Sequence, residues 1–482
     1  MELNSELAGL SLIILALLLL AGKFIRLKIS ILQEYFIPSS IIAGFVGLIL
    51  GPHVLGEIYT SWIGNEDAYL SQGLFPEEMV NIWKDLASLL VTVIFAALFL
   101  GKEIPSFKKI WNTAGPQVTF GQTVAWGQYV VGISLAILVL VPLFDLNPIA
   151  GALIEISFEG GIGSATGLGS TFAEHGFEDG QDLAIGLATI GILFGLIIGI
   201  ILLNWGARSN KSQLIQDPEE ASDQALKGIF KKEDRPTAGE KTTRSASIGT
   251  LTIHLSFLGL AISLGILLLE GLRFVEVNTW EEWTGFALME HFPLFPLAMI
   301  GSIIVQIFLD RYIDYPIINQ ELMKGISGFA LDFMIVSAIA SLAITTIGTH
   351  IIPFILLAIA GIAWNVAAFY FLAQKIMPDY WFERGIGDFG QSMGMTAIGL
   401  LMMRIADPED KSPATISFAY KQLMFEPIVG GGFFTAASAP LIAQMGPVPV
   451  LIICSLLFLG WLLLGLFYFG RGKGGNSDNE KE

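Results

Sequence analysis

The chain has 482 residues, of which 53% are hydrophobic and 14% charged, against about 25% charged in ordinary soluble domains. A mean hydropathy of +0.67 and a net charge of −17 exclude a soluble globular domain and a protein that grips nucleic acid through its phosphates. Cys454 alone excludes a disulfide framework, and no Cys/His grouping has zinc spacing.

Apolar runs of about 18 residues or more read as membrane-spanning helices, so the fold class is an all-α polytopic membrane protein. The first span covers 7–27. Its flanks are inverted for a secretory signal, with Glu2 and Glu6 ahead of it and Lys23, Arg26 and Lys28 at its end; it reads as retained, with the N-terminus outside. Further spans are predicted at 38–51, 85–101, 120–144, 183–205, 248–269, 293–309, 325–347, 351–373, 414–436 and 448–469. Lys102, Lys108 and Lys109, the basic 208–247 connector, and Arg471 with Lys473 belong in the cytoplasm by the positive-inside rule. The loops holding Glu57, Glu66, Asp67, Glu77 and Glu78, and Glu276, Glu281, Glu282 and Glu290, then fall outside, and the C-terminus inside.

Alternation fails in two places. Span 120–144 runs outward and span 183–205 runs inward, so the segment 148–176 must leave and return on one face. Its arm of about 11 apolar residues reaches roughly 16 Å, half of a ~30 Å hydrocarbon core. It is followed by EGGIGSATGLG, and together they predict a re-entrant hairpin. The segment 379–410, with RGIGDFGQSMGMTAIGLLMMR, repeats this from the opposite face. Glycine-interrupted half-spans at matching positions point to a transporter of two inverted repeats, 1–206 and 248–440, each with five spans and one hairpin. A cytoplasmic linker, 207–247, joins them, and 441–482 adds one extra span and a tail.

Backbone broken at mid-depth must be buried or line a polar cavity. Helix N-termini beyond the tips offer N–H donors to a carboxylate, and unpaired oxygens suit Na⁺. Ser164, Thr166, Ser170, Thr171, Ser392 and Thr396 add hydroxyls beside the glycines. Ionisable residues inside spans are costly, so Glu159 and Asp388 are the candidate cation-facing carboxylates. Glu155 in the entering arm and Asn365 are further candidates for the cations. Asn365, Asp332 and the Lys421–Glu426 pair also fit polar contacts between helices. Gln122, Gln128 and Asn365 fit either the lining of a polar path or, more simply, packing.

The stretches IPSSIIAGFVGLILGP (37–52), LFLGKEIPSFKK (98–109), FEGGIGSATGLGSTFAEHGFEDGQDLAIGLATIGILFGLIIG (158–199) and DFGQSMGMTAIG (388–399) resemble the bacterial sodium:glutamate symporter family. The resemblance implies a bacterial inner-membrane, homodimeric, elevator-type transporter in which Na⁺ drives uptake of glutamate or a related small carboxylate or amino acid. No cofactor or enzyme activity is implied beyond the coupling ion. Carried over, the substrate loops are Gly160, Gly161, Gly163 and Ser164 in the first hairpin, and Phe389, Gly390 and Thr396 in the second. Thr166, Gln391 and Ser392 extend that shell. The chain departs from the family pattern inside the loops: Glu159 stands for a small residue, Ile162 for His, Ser164 for Thr and Met395 for Pro, and Asp388, Gln391 and Ser392 enter an apolar tip. The rival readings are a Na⁺/H⁺ antiporter exchanging at Glu159 and Asp388, and a membrane sensor reporting through 208–247.

Overall fold

The structure, a computed structural model, describes residues 5–63, 69–102, 104, 107–215, 227–279, 294–313, 315–342, 350–426 and 428–470. Glu66, Asp67, Glu281, Glu282, Glu290, Arg471, Lys473, the end of span 325–347 and the middle of the linker lie outside these residues. Among the described residues every element is helical, and ten helices are long and apolar enough to cross a membrane. The protein is a polytopic membrane protein.

The chain packs as two units. One holds Met1–Ile104, Gln216–Leu268 and Leu294–Ile344; the other holds Pro105–Ile215, Leu269–Pro293 and Thr345–Glu482. Each half of the sequence divides alike, its first three spans going to the first unit and its hairpin with the flanking spans to the second.

The first unit contains α1 (Ser5–Lys28), α2 (Ser39–Leu50), α3 (Glu77–Ala97), most of the helix Thr250–Val277, and the helices Leu294–Tyr312 and Gln320–Ala340. Its core gathers Leu15, Met79, Trp83 and Val336, with the Trp83 ring edge-on to Phe75 at 5.2 Å. Gly44 and Gly47 lie against Ile339 and Ala340; in lipid, close approach of small residues replaces the hydrophobic drive between helices. Helix α3 begins eight residues before the predicted span, because Glu77 and Glu78 after Pro76 suit a helix N-terminus. The span predicted at 38–51 continues through a π-helical turn, Pro52–Gly56, into Glu57–Ile63.

The second unit starts with α4 (Phe107–Leu135), which carries Pro116 inside it and runs on to Phe144, so the span predicted at 120–144 begins earlier. Pro148–Ala152 and α5 (Leu153–Phe158) form the entering arm of the first hairpin. A bend at Glu159–Gly160 and helices α6 (Gly161–Gly167) and α7 (Gly169–Glu174) return. The two ends meet: the Asn147 Nδ2 donates to the carbonyls of His175 and Gly176 at 3.2 and 3.3 Å. After α8 (Gly180–Arg208) and α9 (Ile351–Ala368), the second hairpin pairs α10 (Trp381–Gln391) with α11 (Thr396–Ala406). A Cβ at Gly390 would stand 2.8 Å from the Gly399 nitrogen, so glycine sets the spacing of these arms.

The span predicted at 414–436 is not one helix. It is α12 (Ala414–Phe425) and α13 (Phe433–Met445). Gly430 and Gly431 between them have φ of +74° and +106°, and only glycine adopts such angles without strain. The final span, α14 (Pro447–Leu464) with the turn Gly465–Phe469, agrees with the prediction of 448–469.

The tips of the two hairpins touch. Gly161 has φ +70° and faces the Gly394 carbonyl, from which an added Cβ would be 2.6 Å away. Gly161→Ala is expected to lower thermal stability by about 1–2 kcal/mol from backbone strain, plus the steric overlap. Gly176→Ala, at φ +71° with open space around it, isolates the strain. Equal melting temperatures for the two variants would refute the contact.

Candidate functional site

Where the tips meet, the second unit buries a group of ionisable side chains. Glu155 on α5, Glu159 at the first bend, Asp388 on α10, and Lys421 and Glu426 on and just after α12 are all 6% exposed or less. They lie within mutual electrostatic reach, with Lys421 acting on Glu159, Asp388 and Glu426. Three carboxylates thus share one ammonium, and Glu155 is coupled to Glu159 and Glu426. Arg384, also buried, acts on Asp388 at longer range, while its guanidinium holds Asp379 at 2.6 Å and the Thr113 carbonyl.

The carboxylates differ in their partners. Glu155 accepts from the Gly430 N–H and the Thr435 hydroxyl, each at 2.9 Å on Oε1, and from the Tyr129 hydroxyl on Oε2. It therefore joins the entering arm of the first hairpin to the break between α12 and α13. Asp388 forms an ion pair with Lys421, Nζ to Oδ1 at 3.0 Å, though neither of its oxygens has a donor at hydrogen-bonding geometry. Glu426 accepts from Gln422 at 2.7 Å. Neither oxygen of Glu159 has a donor at hydrogen-bonding geometry, and the polar group facing it is the Ser392 hydroxyl, itself without such a partner.

A layer of amides pins the second tip. Asn365 donates from Nδ2 to the Ser392 carbonyl at 2.5 Å and accepts on Oδ1 from Gln128, which also donates to Ser392 O at 3.1 Å. The Gln391 Oε1 accepts from Lys421 at 2.5 Å, while its Nε2 is unpartnered.

Among the predicted site residues, Glu159, Asp388, Gln391, Ser392 and Asn365 come together here, and Glu155 joins them through its hydrogen bonds. Gly160 and Gly161 form the first tip, and the Ser164 hydroxyl lies beside Gly431. Thr396 starts the returning helix of the second hairpin. Gly163 and Thr166 face outward, with the Thr166 hydroxyl bonded to the Ile162 carbonyl at 2.8 Å. Phe389 packs against Phe369 at 6.0 Å and Gly390 against Gly399, so both lie on packing faces. Sequence reasoning passed over Tyr129, Thr435 and Gly430, and left Lys421, Glu426 and Gln128 as packing contacts. A lysine and a glutamate within an apolar run were signal enough for the first two. Nothing local marks Tyr129 or Thr435.

A profile described as Sodium/glutamate symporter matches residues 75–381. The chain belongs to the sodium/glutamate symporter family. The match takes in the first hairpin and ends where the second begins. A protein called Sodium/glutamate symporter, from Haemophilus influenzae (strain ATCC 51907 / DSM 11121 / KW20 / Rd), is 22% identical over 437 residues, covering 89% of this chain and 94% of that relative. As a member of this symporter family the protein is a transporter and not an enzyme.

Proposed function

We propose that this protein is a sodium-coupled symporter of glutamate or a related small carboxylate or amino acid in a bacterial inner membrane. The observation that carries the reading is Glu159: a carboxylate 6% exposed, with no donor on either oxygen, in a cluster holding four acids and one ammonium. Burying an uncompensated charge costs several kcal/mol, and a sodium ion removes that cost. The Ser392 hydroxyl and the free oxygen of Gln128 are hard donors of the kind such an ion takes. Family membership and the relative's name support glutamate and Na⁺ as the pair carried.

In this reading Glu159 and Asp388 are the cation-side carboxylates, and Glu155 and Asn365 act through the hairpin backbone they hold. Gly160, Gly161 and Ser164 on one hairpin, and Gln391, Ser392 and Thr396 on the other, border the solute, while Gly163, Thr166, Phe389 and Gly390, proposed from the sequence, lie on outward or packing faces. Close to Glu159 a carboxylate solute is repelled until the ion has bound, which orders the two steps. The hairpins are re-entrant from opposite faces, the halves are inverted repeats, and the N-terminus is outside with the C-terminus in the cytoplasm. The unit carrying both hairpins moves through the membrane as a body, elevator fashion, in a homodimer. Support for this comes from both hairpins and their tip-to-tip contact belonging to one unit.

Uptake into proteoliposomes tests the coupling. Glutamate is expected to accumulate only with an inward Na⁺ gradient, and about 50-fold for each net charge moved through 100 mV. Equal flux with and without the gradient sinks the coupling. A pH change on adding Na⁺ without any organic solute, lost in Asp388→Asn, would instead mark proton exchange.

A further inference from the structure

Lys421 sits in the surroundings of a bound cation. Its Nζ lies 2.5 Å from the Gln391 Oε1 and 3.0 Å from the Asp388 Oδ1, two oxygens from the last turn of α10 before the tip. The ring centroids of Phe425 and Phe418 lie 3.9 and 5.3 Å from the ammonium, an arrangement that attracts cations. A Cβ at Gly121 on α4 would stand 3.0 Å from Nζ, so the missing side chain there makes room for the seat. Lysine and aspartate are both wholly buried.

An ion pair that merely joined two helices could have any partner along their contact. This one takes oxygens at the turn leading into the hairpin tip, beside the carboxylate that still lacks a partner. We infer that the Lys421 ammonium is a resident cation, filling on the second hairpin the place that a coupling sodium ion would otherwise take. The inference rests on the sodium-coupled reading above. A tethered charge travels with the protein in both directions, so it offsets Asp388 without drawing on the ion gradient. Glu159 is left as the carboxylate that needs an ion from solution.

Binding of radiolabelled sodium to the purified full-length protein tests this, together with thermal unfolding in sodium and in potassium. Lys421→Met is expected to bind one sodium ion more per chain than the unaltered protein, because the oxygens of Asp388 and Gln391 become free. Its melting temperature should climb more steeply with sodium. The double variant Lys421→Met/Asp388→Asn, with the pair neutralised, should return to the original count. If Lys421→Met unfolds in potassium, sodium should restore it. Failure to fold in both salts, an unchanged sodium count, or the same gain in the double variant overturns the inference. Sodium binding by the unaltered protein stands as a separate measurement. If that protein binds none while Lys421→Met binds one, the coupling fails alone; if it binds sodium and Lys421→Met gains nothing, the resident cation fails alone.

Discussion

Glu159→Gln is expected to abolish sodium-driven accumulation while leaving the protein folded. The glutamine is nearly isosteric, so packing at the first tip is kept, but the charge that attracts the ion is gone. At 100 mV the loss is about 50-fold for each net charge no longer coupled. Stability moves the other way. The native carboxylate is buried with no donor on either oxygen, and neutralising an uncompensated buried charge recovers several kcal/mol. The variant should therefore melt higher in sodium-free buffer. Sodium should raise the melting temperature of the unaltered protein, because an ion bound only to the native state stabilises it by mass action, and should not raise that of the variant. Flux assays and melting curves in sodium against potassium read both effects. A variant that still accumulates solute and still responds to sodium removes Glu159 from the ion site.

Glu155→Ala should act on the fold itself. The carboxylate receives three donors from two other parts of the unit: Tyr129 on α4, and Gly430 at the break before α13 with Thr435 in that helix's first turn. Removing the common acceptor leaves all three donors buried and unpaired, at about 1–3 kcal/mol each before relaxation. A loss of about 3–5 kcal/mol is expected, the usual result of breaking a buried ionic network. Tyr129→Phe deletes one donor only and should lose about 1–2 kcal/mol. Thermal unfolding in detergent measures the series. If Glu155→Ala melts no lower than Tyr129→Phe, Glu155 is not the common tie between the hairpin and the broken helix.

The contrast between these two glutamates was not visible in the sequence. They lie four residues apart in one hairpin arm, both acidic in an apolar setting, and both read there as cation ligands. What separates them is supplied from residues about 275 positions away, where the chain brings the Gly430 N–H and the Thr435 hydroxyl onto Glu155, whereas Glu159 has no donor at hydrogen-bonding geometry. Lys421 is a similar case. Its spacing from Glu426 suggested a pair between helices, yet its ammonium reaches Asp388 and Gln391 on another element. The broken helix at 426–432 was legible in part, since Pro427 and three glycines interrupt the run. An apolar window long enough to span hid it, because hydropathy averages over the breakers.

Local sequence was enough to read a helical membrane protein, the approximate position of ten of its long helices, and the two glycine-rich places where short helices turn back. Those features follow from local quantities: apolar length set against bilayer thickness, and glycine clusters that interrupt helices. The tertiary packing settled which face of each hairpin arm is buried, that the tips touch through Gly161 and Gly394, and which carboxylate has neither a donor nor an ion-pair contact. Those depend on donors contributed by distant segments, and a buried charge is open or satisfied only according to what the rest of the chain brings to it.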